Sequence, residues 1–241
     1  MTQSSKEKKI AAAVARPAPR RLTVKGERTR TAILDAAERQ FAERGYDGVS
    51  LRQIIDESAV QMGQLQYYFP AKEDVFVAVL DRRIEEVLAV YADAVDALER
   101  RQAAGPVTLR MIMRAVMAIS RAWLSGDDPG RHHYLRVLGL ATMSFNQPDY
   151  VRRHGQVFRP LNNRILASMA RLFPAAPEAR VVDAYYLIEA NLLSLYVNVD
   201  AILARSGASR ADGAVERIYD ELESFLVGGV ERLLEPSTSG S

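Results

Sequence analysis

Gly63, Gln64, Gln66 and Tyr67 fall within five residues and carry the donors and acceptors that can read the edge of a base pair. Glutamine can pair bidentately with adenine N6 and N7, tyrosine can donate to a phosphate or touch a thymine methyl, and glycine lets a backbone approach closely. On a helical wheel with Leu65 inward, Met62, Tyr68 and Phe69 lie on or near the buried side, and those four residues take the opposite arc. That outer face suits insertion into a major groove, and it equally suits the polar surface of a small helical bundle. Other chemistry has little support. The chain contains no cysteine, so disulfides, thiolate nucleophiles and thiolate-ligated metals are excluded. No phosphate-binding glycine loop, zinc-protease helix or nucleophile elbow occurs. No carboxylate stands at ligand spacing beside His132, His133 or His154, so neither metal nor other cofactor is expected and the chain reads as a non-enzyme.

Three short helices must position these residues, over roughly 29–44, 51–58 and 62–68. In the first, Ile33, Ala37 and Phe41 recur every four residues as an apolar stripe. Ser50 and Gln53 form a capping box that opens the second, and Leu51, Ile54 and Ile55 then face inward. A turn at Ala59-Val60 leads to the third, which must stop at Pro70.

The run from Ile54 through Ala59, Val60, Gly63, Leu65, Tyr68, Phe69 and Lys72 to Glu73 resembles the signature of the tetracycline-repressor (TetR) family. Upstream, Ile33–Ala37 and Phe41–Tyr46 resemble that family's first helix, so the likeness covers about 29–80. It implies a bacterial, cytoplasmic transcription regulator in which a helix-turn-helix binds a double-stranded DNA operator. Carried over by position, Arg52, Met62, Gly63, Gln64, Gln66 and Tyr67 would read bases, and Ser50, Tyr67, Tyr68, Lys72 and Arg28 would contact phosphates. The chain departs from the pattern at Ala59, where glycine is usual in the turn, and at Gln61, where Ser or Thr caps the helix. It departs again at Gln66, where tyrosine is common, and at Ala71, a poor cap.

Beyond residue 72 the pattern stays helical, with expected helices at about 72–101, 107–125, 130–146, 149–173, 178–204 and 212–234. The expected class is all-α with about nine helices: a disordered basic arm (1–25), a three-helix helix-turn-helix domain (26–71), a larger ligand-binding and dimerisation domain (72–234) and a disordered tail (235–241). The 178–204 segment carries two stripes. One runs Val181, Tyr185, Ile188, Leu192, Leu195, Val199 and Ile202, and the other runs Val182, Tyr186, Leu193, Tyr196 and Leu203. One stripe can serve the subunit's own core and the other a two-fold mate. The residues expected at the homodimer interface are Tyr186, Leu193, Tyr196, Ile218, Leu222 and Phe225, unless both helices are internal. Candidate pocket residues are Met111, Met113, Met117, Trp123, Met143, Phe145 and Met169, each as readable as core packing. Arg131, His132, His133, Arg152, Arg153 and His154 offer either an anionic head-group site or a solvated face.

Composition fits this organisation. The 241 residues are 48% hydrophobic and 26% charged, enough apolar material for two modest domains. No uninterrupted apolar run approaches membrane-spanning length, and no membrane partner is expected. The net charge of +2 is unevenly placed. Residues 1–30 hold nine basic and two acidic side chains, so the remainder is net acidic. Two readings fit that arm, a polyanion contact or a solubilising tail. The stretch 31–75 has only Arg39, Arg44, Arg52 and Lys72 against eight acids, which makes the arm the expected source of much phosphate affinity. The expected function is a sequence-specific repressor released by an unidentified apolar or amphipathic small-molecule effector. The alternative is an architectural or cell-division DNA-binding protein on the same fold without an inducer.

Overall fold

The computed structural model describes residues 23–144, 152 and 155–235, and the regular elements among them are all helical. The expected tail and most of the expected arm lie outside the described residues. The first helix, α1 (Val24–Arg44), begins earlier than its apolar stripe, because the Thr23 hydroxyl caps it by accepting from the Gly26 amide at 3.2 Å. Thr23–Lys25 are thus a capped helix start, not the end of an arm. Helices α2 (Leu51–Ser58) and α3 (Met62–Tyr68) follow. At α2 the Ser50–Gln53 capping box forms with both reciprocal bonds.

The expected helix 72–101 is two helices, α4 (Lys72–Asp81) and α5 (Ile84–Ala104), broken at Arg82-Arg83. No glycine or proline marks the break. Its cause is tertiary: both guanidiniums turn toward Glu38 of α1, with Arg82 Nη1 at 3.3 Å and Arg83 Nε at 3.7 Å from Oε2. Next come α6 (Leu109–Ser125) and α7 (Pro129–Met143), the latter with proline in its first turn and Asp128 accepting from the Gly130 amide at 2.9 Å. Within the expected helix 149–173, Arg152 and Gly155 are helical, a single 3-10 turn interrupts at Gln156–Phe158, and α8 (Arg159–Leu172) then starts so that Pro160 falls in its opening turn. Helices α9 (Glu178–Arg205) and α10 (Ala214–Leu234) complete the chain. Over an 18-residue window α9 reaches a mean hydropathy of 1.4, so by length and composition it is long and apolar enough to cross a membrane. Only 28% of that window is buried in the single chain.

Two apolar cores result. The first joins Ile33, Phe41, Ile54, Leu65, Phe69 and Phe76 of α1–α4 with Val137 and Ala141, which α7 sends in from the larger part of the chain. The second packs α5, α6, α8, α9 and α10 around Ile112, Met113, Met117, Ile188 and Tyr219. Helices α7 and α9 cross closely at Gly139, where an added Cβ would stand 2.9 Å from Val197 Cγ2 and 3.2 Å from the Leu193 carbonyl. Between α6 and α10 the buried Glu223 carboxylate accepts from both Arg110 and Arg114. These arginines hold its pKa below the usual carboxylate range although burial alone would raise it.

Ala59, at the α2–α3 turn, is the one non-glycine described residue with positive φ (φ 55°, ψ 27°). A Cβ in the left-handed region costs roughly 1–2 kcal/mol, and glycine gives part of that back as unfolded-state entropy. Ala59→Gly is expected to raise stability by about 0.5–1 kcal/mol. The check is a higher urea midpoint at unchanged slope.

Candidate nucleic-acid interface and interior cavity

The outer face of α3 is set by how little of the helix is held inside. Leu65 is fully buried, and Phe69 closes the helix against α1 with the Arg30 guanidinium 5.6 Å from its ring centroid. Gln61, Met62, Gly63, Gln64, Gln66 and Tyr67 are exposed, Tyr67 to 70%. Tyr68 is half-buried and meets the Tyr67 ring edge-on at 5.1 Å. An added Cβ at Gly63 would touch nothing within 4 Å. Gln64 already has a task, since its Oε1 accepts from the Gln61 amide at 3.3 Å and caps its own helix. A second lone pair and the amide NH2 stay available to a base, whereas Gln66 has no such duty to its helix.

Arg52 and Ser50 sit exposed at the start of α2, and Arg28 is exposed on α1. Helix α2 is pinned to α1 through Glu57, which accepts from Arg39 Nε and Gln40 Nε2. Burial alone would raise the Glu57 pKa, but those hydrogen bonds hold it below the usual carboxylate range. Lys72, at the start of α4, donates from Nζ to the Tyr46 carbonyl at 3.0 Å and lies 4.2 Å from the centre of that ring. Tyr46 in turn meets Phe76 edge-on at 5.0 Å. The ammonium is therefore held beside the turn before α2 while retaining donors for a phosphate.

A cavity of about 720 Å3 opens among α5–α9, with Leu80 of α4 at its inner wall. The residues proposed from composition do not line it. Met113, Met117, Trp123 and Met169 are core side chains almost without exposure, because they point between α6 and its neighbours. Met143 is 55% exposed at the end of α7, and Phe145 lies outside the described residues. Met111 packs partly buried against the second core. The wall is instead built by Tyr91 of α5, Leu135, Leu138 and Ala141 of α7, Asn162 of α8, and one face of α9. That face runs Glu178, Val182, Tyr185, Tyr186, Glu189, Leu192, Leu193 and Tyr196, spaced by three or four residues. Tyr186, Leu193 and Tyr196, expected at a dimer interface, are thus cavity residues. The first stripe of α9 packs into the subunit's own core through Val199, and in the last turn Ile202 turns out while Leu203 turns in. On α10, Ile218 and Leu222 are half-buried and Phe225 is 70% exposed.

The basic cluster of the sequence divides. Arg131 pairs with Glu86 at 2.5 Å and covers Trp123, so it serves the fold. His132 and His133 line a separate hollow of about 310 Å3 beside Glu43 of α1. Burial lowers the pKa of both, aided by Arg210 for His132 and Arg39 for His133. Arg152 borders the large cavity, while Arg153 and His154 lie outside the described residues.

The cavity and the α1–α4 core share residues. Leu80 and Ala141 belong to both, and the fully buried Tyr134 of α7 donates its hydroxyl to the Leu80 carbonyl at 2.8 Å. Sequence reasoning missed this junction. A tyrosine at a helical core spacing looks like any other core residue, and the sequence marked only where its helix begins, at about residue 130.

Two family descriptions match the chain: "Bacterial regulatory proteins, tetR family" over residues 33–79, and "Tetracyclin repressor-like, C-terminal domain" over residues 114–229. An HTH-type transcriptional regulator from the lacX 3' region of Lactococcus lactis subsp. lactis is 39% identical over 57 residues, covering 24% of this chain and 29% of that protein. An HTH-type transcriptional regulator of Mycobacterium tuberculosis is 28% identical over 160 residues, covering 61% and 76%. The crystal structure of the transcriptional regulator FadR from Bacillus subtilis, in complex with stearoyl-CoA, superposes with a TM-score of 0.57 at 16% identity, covering 83% of this chain and 98% of that one.

Tyr134→Phe removes a buried hydroxyl and leaves the Leu80 carbonyl unpaired. It is expected to cost about 1–3 kcal/mol, read as a lower thermal midpoint with the helical content of the folded state unchanged.

Proposed function

This chain belongs to the TetR family of bacterial regulatory proteins and is a helix-turn-helix transcriptional regulator, and we propose that it is a cytoplasmic repressor released from its operator by a small apolar or amphipathic effector. The observation that carries the reading is the shared wall. Leu80 and Ala141 belong at once to the cavity and to the core under α1–α4. A ligand that moves α7 or the end of α4 therefore acts on the packing that aims α3. Close-packed interiors transmit such a shift because they do not deform continuously. Effector and operator then lower each other's affinity by one common factor. The cavity volume of about 720 Å3 falls in the range of drug-sized ligand sites, which favours an inducible regulator over the architectural alternative.

For DNA, each α3 enters a major groove, with half-sites about one turn (~34–36 Å) apart or somewhat wider. Gln66, Gln64, Met62 and Arg52 face base edges. Tyr67 and Tyr68, with Ser50, Lys72 and Arg28, face the phosphates. Gly63 supports this orientation: no described residue requires a glycine there, and a glycine within a helix costs roughly 0.5–1 kcal/mol. Its use is the close approach of something outside the chain.

The reading needs two copies. With Tyr186, Leu193 and Tyr196 on the cavity wall, the face left for a two-fold mate comprises exposed Leu187, Ala190 and Ala201 of α9 with Phe225 and Gly228 of α10. Small residues there allow two pairs of helices to approach in a four-helix seam.

Two measurements test the proposal. In fluorescence anisotropy at fixed salt, Gln66→Ala should cost about 1–3 kcal/mol on operator DNA and far less on scrambled DNA, whereas Tyr67→Ala should weaken both alike. Parallel losses from both substitutions would overturn the base-versus-phosphate assignment. In sedimentation velocity at micromolar protein, the native chain should run as a dimer and Phe225→Asp as a monomer. A native monomer would remove the seam.

A further inference from the structure

The cavity wall carries a carboxyl group that the described helices leave without a partner. Glu189 stands on the cavity-lining face of α9, half-buried, with Tyr185, Tyr186 and Tyr196 of the same helix and Tyr91 of α5 on the same wall. Its charge is felt by Tyr91, Tyr185 and Tyr196. No hydrogen bond or ion pair joins it to a described residue, and burial is the one influence on its carboxyl, shifting the pKa upward. By contrast, the buried Glu38 and Glu223 are each met by two arginines. A carboxylate taken from water without a partner is costly, and proteins rarely keep one that nothing will pair.

We infer that the effector is an organic cation, an ammonium or similar charge on an apolar body, seated against Glu189 within the tyrosine lining. The inference rests on reading this cavity as the effector site. Among the described residues, four ionisable side chains besides the tyrosines border the cavity: Glu178, Glu189, Arg152 and Arg159. They balance in sign, so burial decides which dominates. Glu178, Arg152 and Arg159 are exposed at the rim, where water and salt screen them, and Glu189 lies deeper, where a charge acts at lower dielectric. Tyrosine faces add attraction for a cation and none for an anion. The leucines and valines of α6, α7 and α9 take the apolar body. This assignment is opposite in charge to the anionic head-group site that the arginine and histidine cluster offered as one of its two readings.

Tetraphenylphosphonium and tetraphenylborate have nearly the same size and shape and opposite charge, and both can be titrated calorimetrically into the full-length protein. The phosphonium should bind at least about tenfold more tightly than the borate. Glu189→Gln keeps the shape and removes the charge. It should weaken the phosphonium about tenfold or more while leaving the borate unchanged or tighter, and its thermal melt should match or exceed that of the native chain. Arg159→Gln should leave the order of the two ions as it was. Equal affinities, preference for the borate, or an unchanged ratio in Glu189→Gln would each overturn the cationic assignment. Dodecanol as a neutral probe separates this from the broader reading. If dodecanol releases operator DNA while the phosphonium shows no preference, the effector site stands and the cation falls. If no probe binds and none releases DNA, both fall.

Discussion

A carboxylate withdrawn from water has to be paired, and Glu38, only 2% exposed on α1, is paired by two consecutive arginines at the break between α4 and α5. To deliver both guanidiniums, the chain leaves helical geometry between α4 and α5. Arg82 then reaches Asp35 of α1 at 2.8 Å, while Arg83 reaches Asp128 just before α7 at 3.8 Å. The same charges thus set the bend after α4, dock α1 beside it and fix the start of α7. Burial raises the Glu38 pKa, and Arg82 and Arg83 work against that rise. Removing one partner from such a cluster costs far more than the cluster contributes as a whole, so the junction is fragile in its parts and specific in its geometry.

From this junction the rest of the architecture follows. Helix α7, started by Asp128-Pro129 beside Arg83, sends Val137 and Ala141 into the core below α3 and turns Leu135 and Leu138 toward the cavity. Gly139 then lets α7 lie against α9 at a spacing where an added Cβ would crowd Val197 and the Leu193 carbonyl. The core that backs the surface proposed to read DNA and the space proposed to hold an effector lie on two sides of one packed helix. No long relay is required between them.

What the sequence made legible were local events. Ser50 with Gln53, Pro70 after α3, and the breaks near Gly105-Pro106 and Gly126–Gly130 act within a few residues of themselves, and their helix ends fall near the expected positions. The exposed arc of α3 also followed from a single inward leucine. Two features were hidden for physical reasons. Arg82-Arg83 lacks any residue that breaks a helix, and its bend is imposed by a carboxylate 44 positions upstream of Arg82. The cavity was hidden because apolar residues lining a void and apolar residues filling a core share one spacing. Methionines that looked adaptable enough for a pocket fill the interior, and the void lies along a tyrosine-rich face that looked like a seam.

Helix α9 is one uninterrupted rod of 28 residues, and its circumference is divided three ways. Tyr185 and Glu189 face the cavity, Ile188 and Leu195 face the subunit's own core, and Leu187 and Ala190 face outward. Inserting or deleting a single residue within it would rotate everything beyond that point by about 100°, exchanging one sector for another along the remaining length. Within α9, descendants of this gene can therefore change what fits the cavity only by point substitution. Length variation is confined to the connections on either side of it.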